Sequence, residues 1–215
     1  MTQPAFPRRG VLAPLAVVLV LGIGVPAAAE VTVSVREPLL LQVGERSLEI
    51  RVEPESISGA GLQLRRVENG LSGTLRGQPV ELKWSEDGDI TGRAAGESVD
   101  LTAVALTPRP GLRVLGWFGG DTAELTLTPT GILGSVGGCS YRLPMAGNRY
   151  SGWRTCDVTR GPPTPVTLRI PEELMQLGAA EEGALLALLL SDEALSPAPP
   201  TGETPGMGGA GTPSP

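Results

Sequence analysis

The sequence predicts an all-β fold: an antiparallel meander of repeated β-hairpins that closes into a small barrel or sandwich, with one helix near the C-terminus. Three observations support this fold class. Glycine (30) and proline (21) are abundant among the 215 residues, which is typical of a loop-rich β-protein and not of a helical bundle. Glycine-centred units recur along the chain, and each unit contains short runs in which apolar and polar residues alternate.

The repeated units are centred on glycines at positions 73, 92, 116, 134 and 152, at spacings of 19, 24, 18 and 18 residues. In the first unit the run Leu71–Leu75 is followed by turn-forming residues and by a second run, Val80–Trp84. Connections this short join antiparallel neighbours, because parallel strands need a crossover of about a dozen residues or more. We therefore predict hairpin repeats over about 70–160, with a β-solenoid of one coil per repeat as the competing geometry.

The segment before the repeats contains further runs of the same kind, which bring the total to about a dozen strands: Val31–Val35, Leu39–Val43, Leu48–Val52 and Leu62–Val67. Each repeated glycine shares the parity of its apolar neighbours and therefore faces the packed side of the sheet. We expect these glycines to let the sheet bend sharply, or to be covered by an aromatic side chain, with Trp84, Trp117 and Trp153 as candidates. A strongly bent meander closes easily, which favours a barrel or collapsed sandwich.

A single helix is predicted at about 171–191. Pro171 and the two glutamates after it suit a first helical turn, and leucines recur through the rest of the segment. We expect this helix to pack against the sheet or across an open end of the barrel. Its polar positions Glu181 and Glu182 are acidic, which disfavours a role at a membrane surface.

Residues 1–29 have the features of a secretory signal peptide. Two arginines precede the apolar run at 11–25, and three alanines at 27–29 supply the small residues of a cleavage site before Glu30. A membrane anchor is the competing interpretation, but the run is shorter than the roughly 20 residues that a spanning helix needs. The sequence therefore predicts export by general secretion to the periplasm or the extracellular space.

The mature chain is expected to comprise a single β-rich domain at 30–196 and a disordered tail at 197–215. The tail has six prolines, five glycines and no aromatic residue, so it cannot bury enough apolar surface to offset the entropy of ordering. Its segment Gly206–Gly211 matches the GxGxxG spacing, but no strand precedes it and no helix follows it. We therefore do not interpret it as a phosphate-binding loop.

The residue inventory excludes several classes of chemistry. The chain has no histidine and two cysteines, so Ser-His-Asp triads, Cys-His pairs and histidine-ligated zinc sites are excluded. No motif indicates a cofactor, and no metal-ligating cluster is evident. Removing the two arginines of residues 1–29 leaves 15 basic and 23 acidic residues, a formal charge of −8. This acidic balance disfavours nucleic-acid binding.

Two sets of side chains are candidates for function. Glu81, Asp100 and Glu124 occupy equivalent positions in three units and could line one sheet face, although their alternation with core residues indicates a solvated outer surface. The six aromatic residues after residue 29 fall between positions 84 and 153, and they could form a platform for sugars or line a ligand cavity, or simply be core residues. The candidate ligand or partner face consists of Trp84, Trp117, Tyr150 and Trp153.

Cys139 and Cys156 are predicted to form a disulfide. They lie 17 residues apart on either side of a repeat boundary, and a hairpin meander places both near the same end of neighbouring units. Export would carry them into an oxidising compartment, where such pairs form and persist.

Three functional hypotheses follow. The leading one is a non-catalytic exported β-protein that acts through protein contacts, as an envelope, coat or accessory component with an unidentified protein partner. The second is a small-ligand or lipid-binding barrel, which needs a lined cavity. The third is a hydrolase that uses carboxylates alone, which needs paired carboxylates in a cleft.

Overall fold

The computed structural model describes residues 37–156 and 162–191. Fourteen antiparallel strands form a meander in which each strand pairs with its neighbours in the sequence, and β1 pairs with β14 to close a barrel. The first seven strands are β1 (Leu39–Val43), β2 (Arg46–Val52), β3 (Ser56–Gly59), β4 (Leu62–Val67), β5 (Gly70–Leu75), β6 (Gln78–Trp84) and β7 (Asp89–Ala94). The other seven are β8 (Glu97–Ala105), β9 (Leu112–Phe118), β10 (Asp121–Thr128), β11 (Gly131–Val136), β12 (Cys139–Ala146), β13 (Arg149–Cys156) and β14 (Thr164–Arg169).

The predicted all-β barrel of antiparallel hairpins is confirmed, and the solenoid alternative is wrong. The bounds predicted for β1 and β4 agree with the structure. Two strands, β3 and β14, were not expected from the sequence. The predicted run at 31–35, the signal peptide and the C-terminal tail lie outside the described residues.

Two-residue turns fix the register of several hairpins. Leu75 pairs with Gln78, so the loop between β5 and β6 consists of Arg76 and Gly77 alone, and both have positive φ (54° and 78°). This is the turn geometry whose twist matches that of the flanking strands. Short connections of this kind explain why the chain never leaves the meander.

Each strand alternates between the interior of the barrel and the solvent. On β10, Ala123, Leu125 and Leu127 are buried, whereas Glu124 is exposed. Apolar residues of the same parity on all fourteen strands form one hydrophobic core. The alternate residues of each strand, which include the polar ones such as Glu124, therefore face outward around the barrel wall.

The repeated glycines lie where the backbones of neighbouring strands approach too closely for a side chain. Gly134 has φ 130°, and a Cβ atom built there would fall far inside van der Waals contact with the carbonyl oxygen of Glu124 on β10. The aromatic opposite Gly134 is the buried Tyr141 of β12. The prediction that Trp117 and Trp153 cover the inward glycines is wrong, because both side chains are exposed on the outer wall.

The predicted helix at 171–191 is divided into two pieces. A short 3-10 helix spans Glu172–Gln176, the chain is extended at Leu177 and Gly178, and the α-helix α1 spans Ala179–Leu190. Every residue of α1 from Glu182 to Leu190 is buried, on all faces of the helix. Of the two expected arrangements, α1 packs against the sheet, on its inner face within the barrel, and does not lie across an open end.

Contacts with inward-facing wall residues hold α1 in the lumen. The helix lies against β6, β7, β8 and β9. At Gly183 the helix approaches the wall so closely that a Cβ atom would lie 2.7 Å from the Cβ of Ala103. The hydroxyl of Tyr141 donates a hydrogen bond to the carbonyl oxygen of Leu190, which fixes the C-terminal end of α1 to β12.

The two ends of the barrel differ. β14 ends, and α1 begins, at the end of the barrel where β9 and β13 start and β10 finishes; we call this end the mouth. The far end carries the disulfide between Cys139 and Cys156, which occupy directly opposed positions on β12 and β13. The predicted disulfide is confirmed.

Replacing Gly134 with valine should destabilise the protein far more than replacing Ser135 with valine. At Gly134 the side chain would meet backbone and adopt a φ that valine rarely tolerates, whereas Ser135 is half-buried on the outer parity. We expect a difference of about 2 kcal/mol or more between the two variants in urea unfolding. Equal losses would contradict the conclusion that the wall at this position has no room for a side chain.

Gly183→Ala should destabilise the protein although alanine is the better helix former. The added methyl group would press on Ala103, whose Cβ cannot move without its strand. Thermal unfolding of Gly183→Ala, Gly178→Ala and the double variant Gly183→Ala/Ala103→Gly tests this contact. Gly178 has open space around it, so its variant is the control, and the double variant should recover part of the loss. A Gly183→Ala variant as stable as the control would argue against a tightly fitted helix.

Candidate functional site

A cavity of about 170 Å³ opens at the mouth, and we call it the mouth pocket. It lies between the first turn of α1, the 3-10 segment before it and the wall formed by β8–β10 and β13. The wall strands bring these residues together because, in an antiparallel meander, the end of one strand and the start of the next share an edge. The pocket is lined by Ala105, Pro110, Gly111, Leu112, Leu127, Thr128, Pro129, Tyr150, Met175, Leu177, Ala179 and Glu182.

Glu182 is the charged residue of this lining. It is 7% exposed and belongs to the first turns of α1, where its side chain faces the pocket. Among the described residues no hydrogen bond or ion pair reaches its carboxyl group. Desolvation by burial raises the pKa of Glu182 to about 7, because the charged form has lost water without gaining a partner.

Tyr150 supplies the second polar group of the mouth pocket. It is 1% exposed, and its hydroxyl donates a hydrogen bond of 3.0 Å to the carbonyl oxygen of Thr128. Burial raises the pKa of Tyr150, and the negative charge of Glu182 raises it further. The two groups therefore share one environment of low polarity.

The neighbouring Glu181 has a different role. It points away from the pocket, and its Oε1 lies 2.5 Å from Nε of Arg66 on β4. The contact is an ion pair and not a well-aligned hydrogen bond, since neither atom has a partner of normal hydrogen-bond geometry. Arg66 also donates from Nη1 to the carbonyl oxygen of Pro54 (3.1 Å). Arg66 is thus paired with Glu181 and not with Glu182.

The four aromatic residues of the predicted ligand or partner face do not share one face. Tyr150 lines the mouth pocket, whereas Trp117 (54% exposed) and Trp153 (57% exposed) lie on the outer wall. Trp84 is half-buried at the mouth end of β6, where it and Glu181 border a separate surface groove.

Trp153 belongs to a line of outward residues that crosses six strands from β13 to β8. Cross-strand pairing places these residues side by side, and the three apolar side chains are separated by one or two polar ones along the line. Leu133, near its centre, is 59% exposed. We call this line the outer row; it consists of Trp153, Arg142, Leu133, Thr126, Arg113 and Val104.

The repeated carboxylates lie on the solvated outer wall. Glu81, Asp100 and Glu124 are exposed, and Glu124 accepts a 2.7 Å hydrogen bond from Arg113. The mouth pocket itself contains one carboxylate, Glu182. It does not supply the pair of carboxylates on which the hydrolase hypothesis depends.

Glu182 was not among the site residues predicted from the sequence. The adjacent glutamates Glu181 and Glu182 look alike in the sequence, and both are compatible with a solvated helix start. The informative signal is the run of apolar residues that follows on every face of the helix, since a helix that is apolar all round is buried. A buried helix makes at least one of the two glutamates a buried acid.

Within residues 37–156 and 162–191, no helix has the length and apolar character needed to cross a membrane. Comparison with known proteins gives no match to a protein family, to a curated protein or to a solved structure.

Glu182 should make folding stability fall as the pH rises from about 5 to about 8. Its pKa is higher in the folded state (about 7) than its ordinary value of 4.5, so the folded state holds the proton more tightly and loses this advantage as the proton leaves. The chain has no histidine to titrate in the same window. Glu182→Gln should match the wild type near pH 4.5 and exceed its stability near pH 8 by on the order of 3 kcal/mol.

The measurement is urea unfolding of both proteins across this pH range. Glu172→Gln, which changes an exposed carboxylate of the 3-10 segment, is the matched control and should follow the wild type. Parallel stability curves for the wild type and Glu182→Gln would refute the assignment of a buried, unpartnered acid.

Proposed function

We propose that the protein is an exported, non-catalytic binding protein that holds a small ligand with an apolar body in the mouth pocket. The observation that carries this proposal is the unpartnered carboxyl group of Glu182, enclosed by apolar side chains at a cavity open to solvent. Buried ionisable groups without partners are costly and concentrate at functional sites.

The cavity suits a ligand, or a ligand group, of modest size. At about 170 Å³ it resembles the apolar cavities of about 150 Å³ that bind benzene. Most of its lining is apolar, with a few polar groups that could orient a ligand, which is the usual composition of small-molecule sites. The rest of the lumen is filled by α1, so the proposal concerns the mouth and not the barrel interior.

Export is part of the proposal. The disulfide between Cys139 and Cys156 is consistent with an oxidising compartment. The signal-like features of residues 1–29 favour the periplasm or the extracellular space.

A second candidate function is contact with a protein partner, and the outer row favours it. Trp153 and Leu133 expose large apolar surfaces, and two arginines lie between the apolar members of the row. Exposed apolar patches and the pairing of tryptophan with arginine are typical of protein interfaces. In this candidate the barrel is an accessory scaffold of the cell envelope or of a coat.

Binding of benzyl alcohol, a neutral probe of the size of the cavity, tests the proposed pocket. We expect saturable binding in the millimolar range, from the ordinary binding energy of a ligand of this size, with NMR shifts confined to the residues of the mouth pocket. Leu127→Phe and Ala179→Leu both add volume to the lining and should weaken binding.

Leu133→Phe is the matched control, because it adds a similar volume on the outer wall. It should leave probe binding unchanged. Absence of saturable binding in the folded wild type, or equal binding by the filled variants, would refute the proposed function and leave the outer row as the better candidate.

A further inference from the structure

The polar groups of the mouth pocket are mainly hydrogen-bond acceptors. The carboxyl group of Glu182 has no partner among the described residues. The hydrogen of the Tyr150 hydroxyl is directed to the carbonyl oxygen of Thr128, which leaves the lone pairs of the phenol oxygen for an incoming donor. The hydroxyl of Thr128 is engaged with Gly131 and Thr130 on the neighbouring turn. The pocket therefore has side-chain acceptors that a ligand can bind, whereas the hydroxyl hydrogens of Tyr150 and Thr128 are already engaged in hydrogen bonds within the protein.

The pocket also lacks a positive charge. Neither arginine nor lysine is among its lining residues, and Arg66 is held by Glu181 on another side of α1. An isolated carboxylate in such surroundings is unfavourable until a cation or a proton neutralises it. A cationic ligand would supply the missing charge, whereas an anion would be repelled.

The remaining walls are apolar. Leu112, Leu127, Leu177 and Met175 enclose the space beside the carboxyl group. A hydrated inorganic cation would gain nothing from these side chains, whereas an aromatic ring or short alkyl chain would bury its surface against them. The combination of an acid with apolar walls selects an amphiphilic cation.

We propose that the mouth pocket binds an organic ammonium ion with an apolar group of about the size of benzene, its N–H groups directed to the carboxylate of Glu182 and to the phenol oxygen of Tyr150. This inference rests on the proposed function and specifies the class of ligand. It requires the charged form of Glu182, so binding of the cation competes with binding of a proton.

Three probes of nearly equal size test the ligand class by calorimetry: benzylamine, benzyl alcohol and benzoate. At about pH 8 benzylamine should bind at least about tenfold more tightly than benzyl alcohol, as expected for a charge-assisted hydrogen bond in an apolar site, and benzoate should bind most weakly. At about pH 5, where Glu182 is protonated, the advantage of the amine should disappear.

Two variants assign the effect to the proposed residue. Glu182→Gln should bring the affinities for the amine and the alcohol together, while Glu172→Gln, an exposed carboxylate of the same region, should leave the advantage intact. A readout independent of affinity is the titration of the Glu182 carboxyl carbon by NMR. Saturation with benzylamine should lower its pKa from about 7.

The outcomes separate this inference from the proposed function. Binding of the alcohol or benzoate at least as tightly as the amine at about pH 8 would overturn the inference and keep the pocket. Failure of all three probes to bind would overturn both. An amine advantage that survives in Glu182→Gln would also overturn the inference, because the charge would then be recognised elsewhere.

Discussion

The interior volume of the barrel is the constraint on which the rest of the structure depends. Barrels of about eight strands can be filled by their own wall side chains, whereas those of 16 strands or more enclose a channel. Fourteen strands lie between these cases, so the wall cannot close over a dry core by itself. A helix of about 10 Å diameter is the simplest object that fills the space with all its backbone groups satisfied.

This constraint explains the composition of α1. A surface helix is apolar on one stripe, but a helix inside a barrel meets apolar wall on every side. From Ala184 to Leu190 each residue is alanine or leucine, and all are buried. The helix also approaches the wall closely at Gly183, where a side chain would meet Ala103. Filling the lumen thus determines both the sequence of the helix and the wall against which it lies.

The mouth pocket arises where this filling stops. The first turn of α1 lies at the mouth, where it borders the cavity. The 3-10 segment that precedes it covers the opening only in part. Glu181 and Glu182 point in different directions from consecutive helical positions, one to Arg66 and the other to the cavity. Two residues that are chemically identical therefore lie in different electrostatic surroundings, because Glu181 has a counter-charge and Glu182 has none.

Much of the wall could be predicted from the sequence, because its signals are local. Alternation identifies the runs of β6 and β10, short turns such as Arg76-Gly77 require antiparallel neighbours, and the disulfide follows from the repeat boundary. β14 was missed because Pro165 weakens its pattern and no glycine-centred repeat includes it. The apolar residues on every face of α1 indicate that it is buried, but which of Glu181 and Glu182 faces a cavity could not be predicted, since that depends on the number of strands that the closed barrel contains.

Closure of the wall joins the two ends of the folded chain. Leu41 of β1 pairs with Leu168 of β14, and the helix that fills the lumen follows β14 in the sequence. Until β14 exists, β1 retains an unpaired edge, and until α1 is made the wall surrounds an unfilled space. The last part of the domain to be synthesised therefore supplies both the closing strand and the contents of the barrel. Completion of the fold therefore requires the whole domain, and it cannot be reached progressively from the N-terminus during translation.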